Sequence, residues 1–158
     1  MKTKYIFLTL LLITLFYQSF ATSYSWTGNS GTSWSNSGSW SPSGVPDSTS
    51  NVTIVSATNA PVMDQNRKVS AFTLTSGTLD LNSYTLTITG NSTFSSGTIS
   101  NGLLKPSGSL CHFGGTTFNA KIKASCAYFH MNGGTFNNPV ELISAGTSST
   151  SGAGGSVF

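Results

Sequence analysis

The chain has 158 residues, with seven Lys and Arg against four Asp and Glu, ten Phe and three Trp. Lys2 and Lys4 supply two of the basic residues, so the rest of the chain carries five basic and four acidic groups, a net of +1. That balance, with no run of Lys and Arg, excludes the basic stripe of a nucleic-acid binder, and the regular apolar residues argue against a disordered Ser/Gly linker.

The first element, MKTKYIFLTLLLITLFYQSFA, has a basic start, an apolar run from Ile6 to Phe16 and small residues Ser19 and Ala21 around Phe20. This is the order of a cleavable signal peptide. The apolar run has eleven residues, against the ~20 that a helix needs to cross a bilayer, so no stable membrane span is expected after cleavage. Residues 1–21 are read as the signal, and the product is expected to be secreted or held at the cell surface. Residue 22 is Thr rather than Cys, so the acylated cysteine of a lipoprotein is absent.

Residues 22–50 form a second segment, with Trp26, Trp34 and Trp40 among Ser, Gly and Asn, and Pro42 and Pro46 near its end. Two uses fit these indoles. They plug the apolar end of whatever follows, or with Tyr24 they offer ring faces for stacking on a sugar.

From residue 51 the chain alternates apolar and polar residues in short segments: Val52-Thr53-Ile54-Val55, Phe72-Thr73-Leu74, Thr78-Leu79-Asp80-Leu81 and Tyr84-Thr85-Leu86-Thr87-Ile88. That is the period of a strand with one buried face. Ser76-Gly77, Asn82-Ser83, Gly90-Asn91 and Ser96-Gly97 separate the segments as turn formers. The expectation is an all-β protein.

A longer period lies over the short one. SGTL at 76–79 returns as SGTI at 96–99, and GGTTFNA at 114–120 returns as GGTFNNP at 133–139. Self-similarity with a period of ~20 residues is a repeat signature. It points to a right-handed parallel β-helix, a β-solenoid of about five coils over 51–158, in which matching side chains stack at ~4.8 Å. Phe72, Phe94, Phe118, Phe136 and Phe158 are then expected as one internal ladder. Asn119 and Asn137 are expected to repeat at a turn, and Gly114-Gly115 and Gly133-Gly134 to mark corners. A β-sandwich or barrel is the alternative, since strands every ~8 to 12 residues also fit it.

The W-x-G, W, W, V-P-D-S opening followed by NVTI, GTLDLNSYTLTITG and GGTFN phrases resembles the N-terminal region of secreted or surface β-helix repeat proteins of Bacteroidota. The resemblance implies an adhesin-like module, in a group often exported by the type IX system. The chain departs from that pattern by stopping in mid-phrase at Gly154-Gly155-Ser156-Val157-Phe158, without a polar cap or sorting domain. The expectation is a truncated copy, or a last coil that pairs with another chain.

Residues able to carry chemistry are few. A glycosidase needs two carboxylates ~5 to 9.5 Å apart, and Asp64 and Asp80 could meet across neighbouring coils, but no activating neighbour can be named and a structural role is the simpler reading. Arg67-Lys68, the one basic pair, reads as a solvated turn. Cys111 and Cys126 are either a disulfide, plausible in an exported chain, or two buried thiols. With His112 and His130 they superficially make four zinc ligands, but the paired C-x2-C spacing is missing, and adjacent Cys111 and His112 on a strand point to opposite faces. Asp47-Ser48-Thr49 matches a short O-glycosylation pattern of the same bacteria. The sequence therefore predicts a non-enzymatic adhesin-like or structural β-solenoid without cofactor or metal, whose partners are surface glycans or surface proteins rather than nucleic acid. The alternative is a carbohydrate-binding module or the remnant of a β-helix polysaccharide lyase.

Overall fold

The computed structural model describes residues 21–144. The expected signal up to residue 20 and the last ladder member, Phe158, lie outside the described residues.

Twelve strands are joined in one winding sheet. The alternating segments form β1 (Ser23–Trp26), β3 (Asn51–Ile54), β4 (Arg67–Val69), β5 (Ala71–Leu74), β6 (Thr78–Asp80) and β7 (Thr85–Ile88). Further along come β8 (Ser92–Pro106), β9 (Leu110–Cys126), β10 (Tyr128–Met131), β11 (Thr135–Phe136) and β12 (Val140–Ser144). These pairings are all parallel, between one coil and the next. The protein is a β-solenoid. Tyr24 pairs with Val52, Val52 with Phe72, Phe72 with Ser92, Ser92 with Cys111 and Cys111 with Phe129, so the first advance is the longest, the next two are equal and the last two are each one residue shorter than the one before. Five coils are thereby completed and a sixth begun.

Each coil has three faces. The first is β1, β3, β5, the starts of β8 and β9, and β10. The second is β6, the middles of β8 and β9, and β11. The third is β4, β7, the ends of β8 and β9, and β12. In the later coils the chain turns its corners without leaving the strand, so Ser96 and Gly97, expected as a turn, pair with Gly115 and Thr116 inside β8 and β9. Neighbouring coils bend at the same place, so the backbone ladder continues around the bend. At that corner a Cβ on Gly97 would lie 2.2 Å from the Gly77 carbonyl oxygen, and its φ of +99° also favours glycine. Gly133 has the positive φ expected of a corner, and Gly114 and Gly115 mark the same corner inside β9, where Gly115 pairs with Ser96.

The Phe series is not a single ladder. Phe94 pairs with Leu74 rather than Phe72, because it stands two places after Ser92, which is the true partner of Phe72. Phe118 lies on the second face above Ile99, because it stands five places after Phe113, the true partner of Phe94. The two lines face each other across the core. On the first, Phe94 stacks on Phe113 at 5.4 Å between ring centroids; on the second, Phe118 stacks on Phe136 at 5.0 Å and 6°. Phe94 and Phe118 meet edge to face at 5.3 Å. Phe113 stands outside the expected series because its partner in the next coil is Met131 rather than Phe.

Residues 22–50 both begin the solenoid and close it. β1 is already a rung, and β2 (Trp40–Ser41) pairs with it antiparallel, covering an edge that would otherwise be open. Trp26 and Trp40 are register partners with rings at 4.8 Å and 82°, and Trp34 packs on Trp40 at 4.8 Å. Trp26, Trp34 and Trp40 are buried, at 1%, 0% and 3% exposure, so in this state they present no ring face to a sugar. Trp26 Nε1 donates to the Asn59 carbonyl at 2.7 Å, and Trp40 Nε1 to the Trp34 carbonyl at 2.8 Å. Burial of the rings thus keeps two of the polar handles satisfied. Among the described residues no helix is long and apolar enough to cross a membrane.

Candidate functional site

The corner between the second and third faces carries a polar groove of about 640 Å³. It runs along the solenoid axis, taking Ser83 and Thr85 from one coil, Asn101 from the next, Asn119 and Lys121 from the fifth, and Asn138 from the last rung. Asn101 adopts a left-handed φ of 58°, and Asn82 and Ser83 one of 48° and 70°, which lets the chain turn outward here. Asn is among the non-glycine residues that reach this region most readily.

The amides along this corner are tied to one another. Asn137 Nδ2 donates to Asn119 Oδ1 at 2.7 Å and Asn138 Nδ2 to the Asn119 carbonyl at 2.9 Å. One coil below, Asn101 Nδ2 donates to Asp80 Oδ1 at 3.1 Å. The repeated Phe-Asn phrase thus places a Phe in the core and an Asn at the corner, and Asn119 and Asn137, expected to repeat at a turn, form a ladder step between the fifth coil and the sixth.

The third face carries the charge. Lys68 pairs with Thr87, Thr87 with Lys105, and Lys123 with Glu141, all pointing outward between buried Val69, Ile88 and Ile122 neighbours. Leu104 pairs with Ile122, which sets Lys105 beside Lys123, and Lys121 stands beside Leu103. Arg67-Lys68 is strand rather than the solvated turn expected from sequence. Every Lys beyond Lys4 therefore stands on the outside of one face, whereas Arg67 shares the inward column of Leu86 and Leu104 and is spent on Asp64. In the sequence these lysines are scattered from Lys68 to Lys123, so no basic cluster shows there; adding the coil advances to their numbers is the signal that brings them together.

The carboxylates are engaged structurally. Asp64 accepts from Ser33 Oγ at 2.7 Å, the Ser35 amide at 2.9 Å and Arg67 Nη2 at 2.5 Å. Burial is the largest single influence and opposes its charge, but the hydrogen bonds from Ser35, Ser33 and Arg67 together outweigh it and hold the carboxyl well below the usual range. This cluster pins the loop bearing Trp34 to the second coil. Asp80 accepts from the Asn82 amide at 2.7 Å as well as from Asn101. Asp47 accepts from the Thr49 amide and hydroxyl, both at 2.8 Å, and from Ser50 Oγ; these bonds lower its pKa, the Thr49 hydroxyl most. The Thr49 hydroxyl of the short glycosylation match thus closes a turn.

Cys111 and Cys126 form a disulfide. Cys111 points into the core, and His112 lies outside beside His130, with rings 5.9 Å apart. The four do not converge, and among the described residues no group of three or more His, Cys, Asp or Glu could hold a metal.

Fold and site together define a β-solenoid with one polar corner and one basic face. The chain belongs to the family described as Domain of unknown function (DUF8693), whose model matches residues 25–138, from the first rung to the last Asn of the corner ladder. No curated protein and no solved structure matches it.

Proposed function

We propose that this is a non-catalytic exported surface protein, an adhesin-like solenoid that holds out a polar binding surface. The observation that carries the reading is the register itself: Asn, Thr and Lys side chains recur in outward columns on a rigid stack, while the carboxylates that chemistry would need are spent on turns and on pinning coils together. Binding to a repetitive surface ligand requires only such a fixed array. The carbohydrate-binding alternative is favoured by the groove at the Asn corner, whose amides and hydroxyls have the chemistry that sugar hydroxyls pair with. Protease treatment of intact cells making the full chain tests the reading. Digestion of the protein while cytoplasmic markers stay intact is expected; a chain protected until lysis would sink the reading.

A further inference from the structure

We propose that the third face, with the groove beside it, binds a linear anionic polysaccharide lying along the solenoid axis. The proposal rests on the reading of the protein as a surface-binding solenoid and names the class of ligand.

Stability alone does not explain the placement of the lysines. Like charges on neighbouring strands are destabilising when they stand opposite one another, yet Leu104 pairs with Ile122, so the next residues along, Lys105 and Lys123, are set side by side, with Lys121 two places away on the same face. Local rules broken in this way mark functional surfaces. Among the described residues Lys105 and Lys121 have no acidic partner. Lys123 pairs with Glu141 at 2.9 Å, but both side chains are about half exposed, and such surface pairs hold by only ~1 kcal/mol or less, so the pair yields to a competing acid. The positive charges repeat along the axis at the ~4.8 Å spacing of the rungs or a multiple of it, a match for a chain whose acid groups also recur at a fixed distance.

The occupant is a polysaccharide rather than a nucleic acid for two reasons. Single-stranded nucleic acid is held by basic grooves interleaved with aromatic rings, and the exposed aromatic Tyr128 lies on the first face. Lys121 instead borders a groove of Asn, Ser and Thr, groups that pair with sugar hydroxyls while the lysines take the acid groups.

The test is affinity electrophoresis of the full chain at low salt through gels carrying polygalacturonate, dextran sulfate or uncharged dextran, with duplex and single-stranded DNA as competitors. Retardation by at least one anionic polysaccharide and not by uncharged dextran is expected, and the carboxylated and sulfated arms tell which acid is preferred. The triple variant K105Q/K121Q/K123Q should weaken retardation about tenfold or more, at an unchanged melting temperature, and the Lys→Arg triple should retain it. Equal retardation by uncharged dextran, an undiminished Gln triple, or tighter binding to DNA than to either polysaccharide overturns the proposal. No retardation by any polymer also overturns it, while protease accessibility on cells is read separately and decides the broader surface reading.

Discussion

Cys111 and Cys126 tie the beginning of a single coil to its end: Cys111 opens the first face of the fifth coil, Cys126 closes its third face, and their Cα atoms are 6.1 Å apart. One full circuit carries the chain from Cys111 to Phe129 directly above it, so the slightly shorter separation of 15 lets the coil meet itself across a corner. Closing a loop of this size removes about 3 kcal/mol of chain entropy from the unfolded state. Reduction, or the Cys111→Ala/Cys126→Ala pair, should lower Tm by roughly 10 °C, as read by circular dichroism with and without reductant. An unchanged Tm would show that the coil is held by its neighbours alone.

Phe118 is fully buried, stacked on Phe136 and edge-on to Phe94 at 5.3 Å and Phe113 at 5.5 Å. Phe118→Ala should cost about 3 to 5 kcal/mol, measured as a shift in urea midpoint. A cost below about 1 kcal/mol would mean that the neighbouring rings collapse into the space and that the packing is not rigid.

Asp64 gives a pH-dependent prediction. Its folded pKa lies below its unfolded value, so its contribution is fully present above about pH 4, the ordinary carboxylate range, and is lost as pH falls through the lower folded value. Asp64→Asn should therefore lower stability by about 2 kcal/mol near neutral pH, the scale of a charged hydrogen bond. The difference from the native chain should shrink in acid, as followed by urea midpoints from neutral pH downward. A constant difference would mean that the carboxylate charge contributes nothing.

Thr116 is fully buried, and its hydroxyl has no hydrogen-bond partner among the described residues. Removing an unsatisfied polar group while keeping the shape is neutral or favourable, so Thr116→Val should hold or raise the stability read from the urea midpoint, by up to about 1 kcal/mol. A clear loss would reveal that the hydroxyl is satisfied in solution.

Much of the coil was legible in the sequence. The alternation of Val52, Ile54, Phe72, Leu74, Leu86 and Ile88 predicted buried strand faces because a strand's side chains alternate by covalent geometry. The return of SGTL as SGTI predicted direct stacking, and Leu79 does pair with Ile99. These features are local, set by residues within one coil or by a phrase copied whole.

The tertiary structure decided what depends on accumulated length. The advance from Val52 to Phe72 is longer than that from Cys111 to Phe129 because the corners change. A misjudgement of two places moves a side chain one position along its face, and one of five carries Phe118 onto another face. The register likewise gathered Lys68, Lys105, Lys121 and Lys123 onto the outside of one face of a nearly neutral chain. Sequence by itself determined that the chain would coil and which residues face inward; the winding decided which of them meet, because each pairing depends on the summed length of every corner before it.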